Sequence, residues 1–113
     1  MNSLISGIKS KTSTVTPQEA HRIMNDEADY VLLDVRTPGE YKQRHINGAK
    51  LIPLDELGRR AAAELPDKQT TVLIYCQSGA RAARAAKMLT EMGYTGVLSF
   101  GGIMKWPYDT VTG

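Results

Sequence analysis

The chain has 113 residues, of which 42% are hydrophobic and 23% charged, and a formal net charge of +2. That is the size of one ordinary domain with one core, and the composition excludes a disordered chain. No Lys/Arg run and no apolar stretch of bilayer-spanning length is present, so neither nucleic acid nor membrane is an expected partner.

Residues 1–12 are polar and rich in Ser, Thr and Lys, and read as a flexible lead-in to a domain over residues 13–113. They lack the apolar core of a secretory signal, and the expected location is cytoplasmic. Thr16-Pro17-Gln18-Glu19 is a helix start: Thr16 caps, Pro17 suits the first turn and Glu19 reaches back. Ala20, Ile23 and Met24 form its apolar stripe. Tyr30-Val31-Leu32-Leu33 is a continuous apolar run closed by Asp34. Thr37-Pro38-Gly39-Glu40 repeats the helix-start pattern and leads a short helix to about Arg44.

Lys50-Leu51-Ile52 reads as a short strand closed by Pro53. Leu54, Leu57, Ala61 and Leu65 share one face of a helix that stops at Pro66. Val72-Leu73-Ile74-Tyr75 is the second strong apolar run. Ala80 to Met92 consists largely of strong helix formers, and Gly93 stands where a terminating glycine belongs. Val97-Leu98 is a further short strand, followed by Gly101-Gly102.

Apolar runs without alternation predict strands buried on both faces, as in a parallel sheet. Their alternation with helices predicts an α/β fold with helices on both sides. Ligands in such sheets bind beyond the carboxyl ends of the strands. That rule selects Asp34 to Thr37, Cys76 to Arg81, and Gly101-Gly102.

Cys76 is the only cysteine, which excludes an internal disulfide and a dithiol cycle. With only His21 and His45 beside it, no metal site is expected, and no cofactor. Cys76-Gln77-Ser78-Gly79-Ala80-Arg81 joins a buried strand to a strong helix. Successive N–H groups in such a turn form an anion cradle, and the helix start adds unpaired donors and a positive dipole end. A thiolate there is stabilised, and so is the exposed sulfur of a persulfide. Gly79 lets the backbone curl, and Arg81 supplies a full charge that grips the thiolate or an incoming oxyanion.

This loop resembles the active-site loop of the rhodanese family. Leu33-Asp34-Val35-Arg36, Glu40-Tyr41, and His45-Ile46-Asn47-Gly48-Ala49 with Ile52-Pro53 resemble its first signature, and Gly101-Gly102 with Trp106 its closing one. The likeness runs from about Val15 to Trp106, with the motifs in the family's order. It implies a three-layer fold, a central parallel sheet flanked by helices on both faces, with Cys76 as nucleophile. It also implies double displacement: a donor such as thiosulfate or a persulfide leaves sulfur on Cys76, and a thiol or cyanide removes it. A sulfur-relay protein is a further conceivable partner. Two departures stand out: Arg44 replaces a frequent glycine before the histidine, and neutral Gln77 replaces a frequent cation after the cysteine.

Other roles follow from position. Gln77, Ser78, Gly79, Ala80 and Arg81 are expected to bind substrate. Asp34 and Arg36 support the loop, either at the substrate or through an ion pair, with Glu40 as the candidate partner of Arg36. His45 is read as a structural hydrogen bonder, Trp106 as a packing residue, Arg44 as solvent-facing and Met88 and Met92 as core or helix-edge residues. Arg84 either widens the positive field or is solvated. Two competing functions remain at this level: a cysteine phosphatase or arsenate reductase, and a binding or regulatory module without turnover. The phosphatases related to the family have one residue more between Cys and Arg, which favours sulfur over phosphate here.

Overall fold

The computed structural model describes residues 13–113. The lead-in expected over residues 1–12 lies outside the described residues. The chain forms β1 (Ser13–Thr14), α1 (Pro17–Asp26), β2 (Tyr30–Asp34), α2 (Pro38–Gln43), β3 (Lys50–Leu51), α3 (Leu54–Glu64), β4 (Thr71–Cys76), α4 (Ala80–Glu91) and β5 (Gly96–Gly102). A short 3-10 turn, Ile103–Lys105, follows β5. The five strands form one parallel sheet in the order β1-β5-β4-β2-β3.

The central position of β4 follows from its sequence. All of Val72 to Cys76 are buried, which only a strand covered on both faces permits. Side chains alternate across the sheet. Val72, Ile74 and Cys76 point to the layer of α3 and α4, where they pack with Leu57, Ala61, Ala82 and Leu89. Leu73 and Tyr75 enter the opposite layer with Ala20 of α1, Phe100, Ile103 and Trp106. Helices on both faces complete the three layers that the sequence predicts.

Both predicted helix starts form reciprocal capping boxes. Glu19 accepts from the Thr16 N–H at 2.8 Å, and Glu40 accepts from the Thr37 N–H at 2.9 Å. Each such cap is worth about 1 kcal/mol. Tyr94 fixes the end of α3 by donating its buried hydroxyl to the carbonyls of Ala61 and Leu65.

Three features depart from the sequence expectation. β5 extends over Gly96–Gly102 rather than Val97-Leu98 alone, because its pairing with β4 and β1 overrides the poor strand propensity of glycine. Ser13–Thr14 adds an edge strand beside it. The C-terminal segment returns across the sheet end, where His45 and Val111 exchange backbone hydrogen bonds at 2.8 Å.

Candidate active site

β4 ends at Cys76, and α4 begins at Ala80. Between them the chain must turn within three residues, and Gly79 does so with φ at +124°, a region that side chains disfavour. The turn folds back onto the strand end. The Gly79 N–H donates to Cys76 Sγ at 3.0 Å, and Ala83 N–H donates to the Gly79 carbonyl. Gly79 is also the cap position of α4, with no side chain capping it, and no acid occupies the first turn. The helix dipole therefore acts on the sulfur unopposed from that turn. Cys76 is only 1% exposed, so the residue is almost wholly withdrawn from solvent.

β5 holds the loop from below. A Cβ on Gly102 would lie 2.1 Å from the Gln77 carbonyl oxygen, so only glycine admits this approach. The next turn adds a donor, as the Met104 N–H reaches the same carbonyl at 3.3 Å. β4 and β5 change register between Ile74 and Cys76, which pairs Cys76 with Gly102. The Gly101-Gly102 pair, marked in the sequence by its place after a strand and by its likeness to a closing signature, is the floor of the loop. Met104 carried no signal, since a backbone donor has no residue type.

A buried ion pair braces the other side. Asp34 is 0% and Arg36 2% exposed. Arg36 Nε and Nη2 donate to the Asp34 carboxylate, the shortest contact being 2.7 Å. The remaining guanidinium donors reach the Arg44 carbonyl at 2.7 Å and Gln77 Oε1 at 3.2 Å. The guanidinium also lies 5.5 Å from the centre of the Tyr75 ring. Burial is the largest single influence on Arg36 and works against its charge, but the hydrogen bonds to Asp34, the Asp34 charge and Tyr75 together outweigh it and hold the guanidinium protonated. Tyr75 is pushed up by burial and by the Asp34 charge, and as a neutral phenol its oxygen accepts from the Ile46 N–H at 3.0 Å.

The pairing of charges differs from the sequence expectation. Arg36 pairs with Asp34 and not with Glu40. Glu40 instead accepts from both Nη atoms of Arg81, at 2.8 and 3.0 Å. The hydrogen bonds from Arg81 bring the Glu40 carboxyl down to about 2, against the opposing effect of partial burial. Arg81 is thus no free cation over the sulfur. Its charge is matched by a carboxylate that α2 carries to the mouth of the loop. Gln77 is likewise engaged, with its side-chain oxygen tied to Arg36, while Ser78 and Ala80 are exposed at the loop's outer edge.

The remaining residues occupy distinct places. His45 is buried, stacks on Tyr41 at 3.7 Å and bonds the Tyr41 carbonyl through Nδ1 at 2.9 Å. Trp106 packs against Phe100. Arg44 is exposed but extends along the surface toward the Ile103 carbonyl at 3.4 Å. Met88 and Met92 are half-buried against the core. Among the described residues, no cluster of His, Cys, Asp and Glu could hold a metal ion, and no helix is long and apolar enough to cross a membrane.

A family model described as a rhodanese-like domain matches residues 16–108, which include every one of these groups. The chain belongs to the rhodanese family. Thiosulfate sulfurtransferase PspE of Escherichia coli is 46% identical over 71 residues, 63% of this chain and 68% of PspE. The probable adenylyltransferase/sulfurtransferase MoeZ of Mycobacterium tuberculosis is 37% identical over 98 residues. That match takes in 85% of this chain but only 25% of MoeZ, so this rhodanese spans a quarter of that relative. A solved rhodanese with anions from E. coli superposes with a TM-score of 0.70 at 42% identity, covering 74% of this chain and 99% of that one. By this kinship the protein is a rhodanese-type sulfurtransferase.

Proposed function

We propose that Cys76 carries sulfane sulfur as a persulfide between a donor such as thiosulfate and a thiophilic acceptor. The thiolate attacks the outer sulfur of the donor, a new S–S bond forms, and sulfite leaves with the electron pair of the broken bond. An acceptor thiolate or cyanide then attacks the outer sulfur on Cys76, and the pair of that S–S bond returns to Sγ as thiolate. Gln77, Ser78, Gly79, Ala80 and Arg81 line the cradle in this reading, and Asp34 and Arg36 keep it in place. A partner protein in a sulfur relay is compatible with the likeness to part of MoeZ.

The observation that carries this reading is the Gly79 N–H aimed at Sγ at 3.0 Å, in a loop fixed by Gly102 beneath and Arg36 beside it. Backbone donors of that kind stabilise a sulfur anion without proton transfer, which suits a thiolate and a persulfide alike. The near-complete burial of Cys76 favours slim donors. The same geometry argues against phosphate chemistry, because Arg81 offers its fork to Glu40 and not to an oxyanion.

Intact mass spectrometry tests it. The wild type should gain one sulfur atom on treatment with thiosulfate and lose it with cyanide. Cys76→Ser should fold and gain nothing, since serine lacks an easily formed anion. Sulfur uptake by that variant would remove the assignment.

A further inference from the structure

Trp106 belongs to the layer of α1, on the opposite face of the sheet from the layer that holds Cys76. Beside it lies a pocket of about 450 Å³, to which α1 contributes His21, Met24 and Asn25 and the C-terminal segment contributes Trp106, Tyr108 and Asp109. The pocket shares no residue with the Cys76 loop or with the groups that brace it. Three rings form its wall. His21 stacks on Tyr108 with centroids 3.7 Å apart, and Trp106 stands at 68° and 70° to the two, with centroids at 5.9 and 5.0 Å. The Trp106 indole N–H donates to the Asp109 carbonyl at 3.3 Å, a bond that closes the turn bringing Asp109 to the pocket. The Asp109 carboxylate has no ion-pair partner among the described residues, and no Lys or Arg lines the pocket. Packing alone requires neither the open volume nor the unmatched charge.

We propose that this pocket is a second ligand site, independent of sulfur transfer, and that it takes a small alkylated ammonium ion. Ring quadrupoles beside a fixed negative charge, with no competing cation, attract an organic cation as it leaves water. The rings do so without requiring hydrogen bonds, which a quaternary ammonium cannot donate, and Asp109 supplies the opposite charge. A primary ammonium is more strongly hydrated and loses more on entering. Anions meet only repulsion from Asp109, so the site is no second place for thiosulfate. The volume falls in the range of small-molecule pockets, roughly 300–1,000 Å³.

Trp106 is the only tryptophan, so its fluorescence reports from the pocket itself. The full chain is titrated at about pH 8, where a free imidazole is neutral. The probes are choline, its uncharged isostere 3,3-dimethylbutan-1-ol, and ethanolamine. Choline should give a saturable change, and the other two should bind at least about fivefold more weakly. Asp109→Asn and Tyr108→Leu, both at exposed positions, should each weaken choline about three- to tenfold and keep the wild-type circular dichroism spectrum. Asp109→Asn retains the backbone carbonyl that the indole uses, so it removes the charge and leaves the turn. A flat choline titration would overturn the site. Equal affinity for the uncharged isostere or for ethanolamine would overturn the assignment to an alkylated cation. Wild-type choline affinity in both variants would overturn the roles given to the ring and the carboxylate.

Discussion

Glu40 and Arg81 meet at the mouth of the Cys76 loop through two hydrogen bonds of 2.8 and 3.0 Å, although they stand on different helices and forty-one positions apart. Glu40 also accepts from the N–H of Thr37, so one carboxylate starts α2 and restrains the first turn of α4. The pair sets the field that a dianionic donor meets. A lone arginine attracts thiosulfate strongly, whereas an arginine matched by a carboxylate attracts it weakly.

The first prediction reads that field directly. Glu40→Gln keeps the cap, since glutamine serves the same position, and removes one negative charge. The KM for thiosulfate should fall by roughly two- to fivefold, about 0.5–1 kcal/mol for one partly exposed charge. Arg81→Gln should raise it. Steady-state kinetics at low ionic strength measure both, and a KM that rises in both variants would show that the pair acts only as a scaffold.

Acid should weaken the fold through the same carboxylate. Glu40 ionises at about 2 in the folded chain, well below its unfolded value. A depressed folded value gives stability that is present above the unfolded ionisation, at about 4.3, and is lost as pH falls through about 2. Glu40→Gln should therefore flatten the urea stability profile between about pH 4 and pH 2. With both side chains about a third exposed, the screened contribution is about 1 kcal/mol, and an identical acid limb in wild type and variant would exclude it.

The Asp34–Arg36 pair should behave quite differently, because both groups are almost fully buried. Asp34→Ala strands a buried guanidinium and should cost about 3–5 kcal/mol. Asp34→Leu/Arg36→Met removes both charges and should recover much of that loss in chemical denaturation. Sulfur transfer should stay impaired, since Gln77 and the Arg44 carbonyl lose the donors that fix the loop. A double variant with full activity would limit Arg36 to a role in stability.

Gly102→Ala tests the floor of the cradle. The new methyl would lie 2.1 Å from the Gln77 carbonyl oxygen, a backbone atom that cannot step aside without moving the loop. Overpacking of this kind costs about 1–3 kcal/mol or more. Turnover should fall further than stability does, because the displaced loop carries the Gly79 N–H away from Sγ. Gly39→Ala is the control: its added methyl meets nothing closer than the Thr37 hydroxyl oxygen at 4.0 Å. Wild-type kinetics in a folded Gly102→Ala protein would show that the close approach has no part in catalysis.

Much of this protein is written in local order along the chain. The capping boxes at Thr16 and Thr37, the unbroken apolar run of β4 and the helix formers after Ala80 each act over a few residues, so their elements are legible without knowing the fold. The position of Cys76 is legible for the same reason: it is the last residue of a strand before a tight glycine turn. Charge pairing was beyond that reach. Arg36 stands two residues from Asp34 and four from Glu40, and spacing along a single chain cannot rank the two. The parallel sheet decides it by burying Asp34 at the end of β2 and leaving Glu40 on α2, where it faces the start of α4. Likewise the Gly102 contact exists only because β5 and the loop after β4 converge at one end of the sheet. Local hydrogen bonding and hydrophobic period decide elements, whereas partners far apart in sequence are chosen by packing, which only the folded chain expresses.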